Sequence, residues 1–137
     1  MSFEIAHTVM QGVDVFHLKG ELTFGEPDLK LRNDIEGAIS RGITRLVMDF
    51  TEVSKIDALC SDYLICANKR LRDAGGGIAA LNLNTARIDP IEIGKLETML
   101  EPFDLEEEAV NSFFPDRRVT HYDILDVIRS HNAKEAL

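Results

Sequence analysis

The sequence predicts one α/β domain whose mixed, mainly parallel β-sheet is packed with helices, followed by a C-terminal helical extension. Three observations carry this prediction. Strand-like and helix-like segments alternate along the chain, as parallel strands joined by helical crossovers require. Arg45–Phe50 and Ile78–Leu83 are short and rich in strand formers. At 137 residues, the chain has the length of a single core.

Taken in order, Phe3 to Met10 alternates, with Phe3, Ile5 and Val9 on one face. Gln11-Gly12 supplies turn chemistry, and Val13–Leu18 returns as a second strand, making a hairpin. Gly20-Glu21-Leu22-Thr23-Phe24-Gly25 is predicted as a loop. Pro27 stands at a first helical position; Leu31, Ile35, Ala38 and Ile39 form one apolar stripe, and Gly42 ends that helix. After the Arg45–Phe50 strand, Thr51–Ile56 is predicted as a loop leading to Asp57. Asp57 caps a helix running to Ala74, with Cys60, Leu64, Ala67 and Leu71 in its stripe and Gly75-Gly76-Gly77 as its stop. Asp89-Pro90 then opens a short helix through Ile91, Ile93 and Leu96. Leu100–Phe103 is a short edge strand and Asp104–Phe113 a helix, with Glu106, Glu107 and Glu108 near its positive end. Thr120-His121-Tyr122-Asp123 starts an appended helix with Ile124, Val127 and Ile128 in a narrow stripe. The expected division is residues 1–113 for the domain and 114–137 for the extension.

Composition limits function. Fifteen basic against 24 acidic residues give a net charge of −9, a field that repels nucleic-acid phosphates, so no nucleic-acid partner is expected. No run approaches the ~20 apolar residues of a membrane span, and the first residues carry no basic, apolar leader; a cytoplasmic protein with no membrane insertion is the expectation. Cys60 and Cys66 lie six residues apart on one helix, pointing to different faces, which argues against a disulfide and for buried, reduced thiols.

Reactive constellations are not apparent. His7, His17, His121 and His131 are scattered, without metal-ligand spacing, and read as satisfied or solvated side chains; no metal and no cofactor are expected. Gly75-Gly76-Gly77 follows a helix and precedes a strand, the reverse of a phosphate-cradling loop. Ser61 has no histidine placed by a motif. The chain is therefore not expected to be an enzyme. The segment from Thr51 to the helix start at Asp57 stands out by position, because α/β sheets place functional groups at the carboxyl ends of their strands, facing helix N-termini.

Several motifs, in order, resemble the STAS domain of sulfate transporters and anti-sigma factor antagonists. They are Gly20-Glu21-Leu22, Leu46-Val47-Met48-Asp49-Phe50-Thr51-Glu52-Val53, Ile56-Asp57, Lys69-Arg70 before Gly75-Gly76-Gly77, and Phe103-Asp104-Leu105-Glu106-Glu107-Glu108-Ala109-Val110. The resemblance covers roughly residues 3–113. It implies a STAS-like fold and a bacterial regulatory module that binds a GHKL-type anti-sigma factor and serine kinase. In that family a hydroxyl just after the helix-capping Asp is phosphorylated; here that position is Ala58, which has no oxygen to modify. Thr23 also replaces a frequent Asp, and Pro90 falls earlier in the third helix than the family pattern.

The expected partner surface comprises Thr23 and Phe24 in the turn, Ser54 and Asp57 in the loop, and Ala58, Leu59, Ser61 and Asp62 in the exposed first turns of the helix. With Ala58 unmodifiable, Ser61 is the substitute phospho-acceptor to consider, with Ser54 and Thr51 behind it. The alternative is a STAS-like scaffold or small-ligand-binding subunit of a larger complex, stressosome-like or transporter-associated. In that case the C-terminal helix would serve assembly, including a homodimer.

Overall fold

The computed structural model describes residues 3–83 and 89–114. The appended helix and its Ile124, Val127 and Ile128 stripe, together with His121 and His131, lie outside the described residues.

The chain opens with a hairpin, β1 (Glu4–Met10) antiparallel to β2 (Val13–Leu22). Gln11 (φ 57°) and Gly12 (φ 84°) both take left-handed conformations, the type I′ turn that matches strand twist. Then follow α1 (Glu26–Ser40), β3 (Arg45–Ile56), α2 (Ala58–Asp73), β4 (Gly77–Leu81), α3 (Pro90–Met99), β5 (Glu101–Phe103) and α4 (Glu106–Asn111). The strands form one sheet in the order β1-β2-β3-β4-β5, parallel from β2 onward.

The alternation of side chains sorts the core into two layers. Phe16 and Leu18 of β2, Leu46, Met48 and Phe50 of β3, and Ile78 and Ala80 of β4 share a core with the stripes of α1 and α2 and with Leu96 of α3. Val13, Val15, Val47, Ala79 and Leu81 face the other way and are covered by Ala109 and Val110 of α4. Every residue of β4 is consequently buried, as a strand covered on both faces must be.

Two segments expected as loops are strand. Gly20–Leu22 continues β2 and Thr51–Ile56 continues β3, pairing Gly20 with Val53, Glu21 with Lys55 and Leu22 with Ile56. Neither piece has a strand pattern of its own. Each is extended because the other lies beside it, past a register shift at Gly20 and Glu21. Helix α1 begins at Glu26, one residue before Pro27, behind a Gly25 cap with φ 112°, a backbone region open to glycine. Helix α4 is shorter than Asp104–Phe113. Cys60 is buried as expected, but Cys66 is exposed: six residues carry it about 240° round the helix, off the apolar stripe.

The layers are held in register by specific contacts. A Cβ at Gly76 would lie 1.8 Å from the Thr44 carbonyl oxygen, so only glycine lets the α2–β4 turn sit against the start of β3. Buried Asn68 of α2 accepts from the Ile78 amide at 2.8 Å and donates to the Met99 carbonyl at 2.9 Å, joining three elements. Arg70 grips Glu36 with two nitrogens at 2.6 and 3.0 Å while the Tyr63 hydroxyl donates to the same carboxylate at 2.7 Å. Arg70 first and Tyr63 second hold the Glu36 carboxyl below its usual range, against a smaller effect of burial.

Candidate functional site

The site grows from the place where β2 and β3 run past the rest of the sheet. There the Asp57 amide donates to the Leu22 carbonyl at 3.2 Å, fixing the end of β3 to the end of β2. Asp57 itself is extended (φ −99°, ψ 170°) and caps α2. One carboxylate oxygen accepts from the Cys60 amide at 3.0 Å, the other from the Phe24 amide at 2.7 Å. A single side chain thus satisfies an orphan donor of α2 and ties the β2–α1 turn to it. Burial pushes the Asp57 carboxyl up, but the hydrogen bonds from Cys60 and Phe24 and the nearby Lys55 charge outweigh it, leaving the group below its usual value.

Beneath this cap, Asp28 of α1 is buried and accepts from Arg32 at 2.9 Å. The Cys60 thiol lies 3.6 Å from the same carboxylate. Burial first, then Asp57 and Asp28, drive the Cys60 thiol strongly upward, so it stays protonated and inert. On the far side, Ser61 donates its hydroxyl to Glu92 of α3, with the Asp57 carbonyl 3.0 Å away. Lys95 lies 3.0 Å from both Glu92 and Asp62. The starts of α1, α2 and α3 are therefore linked through side chains.

Several apolar side chains near these links remain outward. Phe24 is 74% exposed, Leu59 46% and Ile91 71%. Each lies within two residues of one of the links, and Ala58 at the first position of α2 is exposed among them. Asp62, Glu26 and the partly covered Asp57 and Glu92 supply negative charge near the helix starts, with Lys55 near Asp57 and Lys95 bridging Asp62 and Glu92.

Of the residues expected here, Phe24, Ala58, Leu59 and Asp62 are exposed. Thr23 is half-buried, its carbonyl accepting from the Asp28 amide at 3.1 Å, and Ser54 is exposed on β3 rather than in a loop. Ser61 corrects the expectation: it is fully buried, with its hydroxyl taken up by Glu92, and is presented neither to a partner nor to a kinase. Thr51 is also occupied, donating to Asp49 at 2.5 Å and accepting from Asn82 at 2.7 Å.

The sequence reading missed Ile91, Glu92 and Lys95. A usable signal was present: every helix following a parallel strand starts at the same end of the sheet, so the Asp89-Pro90 start already placed α3 beside α2. His7 and His17 are satisfied side chains, as expected. His7 reaches Asp14 at 3.2 Å and Asp34 at 3.1 Å, while His17 lies between Thr8 at 2.9 Å and Asp49 at 3.1 Å. Among the described residues no group of three or more His, Cys, Asp or Glu side chains could hold a metal ion, and no helix is long and apolar enough to cross a membrane.

A model of the STAS domain matches residues 4–109. The chain belongs to the STAS family. Solved structures share this STAS fold at low sequence identity. The Thermotoga maritima protein TM1081 is 15% identical, covering 80% of this chain and 93% of its own, with a TM-score of 0.69. The anti-sigma factor antagonist SpoIIAA in its unphosphorylated form is 20% identical, covering 85% and 100%, with a TM-score of 0.64. Bacillus SpoIIAA in its phosphorylated form is 21% identical, covering 81% and 98%, with a TM-score of 0.60. No curated protein matches the sequence. Within this STAS domain, the α2 start carries Asp57-Ala58-Leu59-Cys60, with the exposed Ala58 methyl directly after the cap.

Proposed function

We propose that this STAS domain is a regulatory protein-interaction module of the anti-sigma factor antagonist type, docking a GHKL-type anti-sigma factor and serine kinase without being phosphorylated at the docking site. The observation that carries this reading is the exposed Phe24–Ala58–Leu59 surface fastened to the Asp57 cap. A phosphate beside that cap would add close to two negative charges next to the Asp57 carboxylate. Ala58 offers no oxygen for it, and neither Ser61 nor Thr51 presents a free hydroxyl. Docking through apolar side chains then stays available at all times. Asp57 holds the surface in shape, Leu59 and Phe24 enter the partner, and Thr23, Ser54 and Asp62 lie at its rim.

Calorimetric titration with a cognate kinase-type anti-sigma factor, followed by incubation with ATP and mass spectrometry, tests the proposal. The expected result is binding that weakens by roughly tenfold or more in Phe24→Ala and Leu59→Ala, with no phosphate on the wild-type chain and stoichiometric phosphate on Ala58→Ser. Stoichiometric phosphate on wild-type Ser54, or binding indifferent to both truncations, overturns it.

A further inference from the structure

The geometry points to a second, separate interaction surface: the outer edge of β1, where we infer that two copies of this chain pair as antiparallel strands and join their sheets. In a hairpin with a two-residue type I′ turn, the pair flanking the turn exchanges both main-chain hydrogen bonds. That pair is Met10 and Val13, so alternation makes Thr8–Val15, Ala6–His17 and Glu4–Lys19 the bonded pairs. Ile5, His7 and Val9 occupy the intervening positions, and their N–H and C=O groups project away from β2. Strand β1 ends the sheet order, and among the described residues no strand pairs with this side of it.

Edges of this kind are normally blunted by proline, lysine, a bulge or shortness. Strand β1 has none of these: it is seven residues long, lacks Pro and Lys, and pairs with β2 without a register shift. Its side chains suit a second copy of the same strand. Antiparallel pairing about His7 sets Ile5 opposite Val9 of the other copy, His7 opposite His7, and Val9 opposite Ile5. The three positions whose main-chain groups face outward are thereby matched with one another, for up to about six hydrogen bonds. Val9, 67% exposed, lines a groove of about 280 Å³ between β1 and α1 and gains an apolar neighbour in that register. The single charged residue of the strand, Glu4, falls opposite Met10 rather than its own copy. The assembly closes as a pair, because the opposite edge of the sheet, β5, has three residues and contains Pro102. With −9 on each chain, the association strengthens as salt screens the repulsion.

The test is sedimentation equilibrium of the full chain over a range of concentration and salt, combined with amide hydrogen exchange. The expected result is a mass rising toward twice the monomer, more readily at higher salt. Exchange at Ile5, His7 and Val9 slows as concentration rises, while Ala6 and Thr8 are slow throughout. Val9→Pro, which removes an outward donor and leaves the ladder to β2 intact, weakens association by roughly tenfold or more. Val9→Lys, which keeps the donor but places an ammonium against Ile5, does the same. A monomer at every concentration overturns the inference. So does protection of Ile5, His7 and Val9 that is independent of concentration, which would mean the chain covers its own edge. A dimer unaffected by either variant also overturns it.

Discussion

The start of α2 and the edge of β1 offer partners opposite materials. At α2 several backbone donors are already engaged: Cys60 and Phe24 give their amides to Asp57, Ser61 gives its amide to the Asp57 carbonyl at 3.1 Å, and Asp57 gives its own to Leu22. What projects there toward a visitor is the side chains of Phe24, Ala58 and Leu59, all exposed. At β1 the distinguishing feature is the backbone, whose outward N–H and C=O groups at Ile5, His7 and Val9 face no other strand among the described residues. Selectivity for one partner can be written into Phe24, Ala58 and Leu59 by substitution. An edge strand accepts whatever extends it, so its selectivity must come from register and self-complementarity.

The difference can be broken most severely at Asp57. Asp57→Ala strips the cap and the tie to the β2–α1 turn together and is expected to cost about 2–3 kcal/mol by urea denaturation, while the β1-mediated association of the molecules that remain folded is unchanged. The same residue has a pH signature. Its carboxyl lies lower in the folded chain than its ordinary 3.8, so the stability it adds is fully present above that pH and is lost as pH falls through the folded value. The margin of the wild type over Asp57→Asn should accordingly narrow below about pH 3.8. A margin constant from neutral pH into acid would contradict the assignment.

A milder change is Ser61→Ala, expected to cost about 1 kcal/mol. It removes one link from α2 to α3, while Lys95 still bridges Glu92 and Asp62 and Asn68 still reaches the Met99 carbonyl. The smallest effect sharpens the contrast: Phe24→Ala should alter unfolding free energy by less than about 0.5 kcal/mol, because the side chain is 74% exposed and only its amide serves the fold. A larger loss would show that Phe24 packs inward and is not a docking group.

Most of the scaffold was legible in the sequence because its signals are local. The Gln11-Gly12 turn, the stripe through Leu31, Ile35 and Ala38, the Asp57 cap and the Asp89-Pro90 start each lie within a few residues of what they determine. The Gly20–Leu22 and Thr51–Ile56 extensions were not legible, because each is a strand only by virtue of the other, some 30 residues away. The same separation hid the burial of Ser61. Its position in the first turns of α2 suggests exposure, and only the arrival of Glu92 from α3 encloses it. The outward-facing amides of β1 follow from the sequence once the turn type is known, but a lone alternating strand does not say whether it lies at an edge.

The two cysteines give the molecule a practical asymmetry. Cys60 is sealed beneath the cap with its thiol held protonated, whereas Cys66 stands exposed two turns along the same helix. A maleimide dye added to the native protein should therefore attach at Cys66 alone, supplying a fluorescent reporter on α2 without any engineered residue, and double labelling would serve as an immediate sign of unfolding.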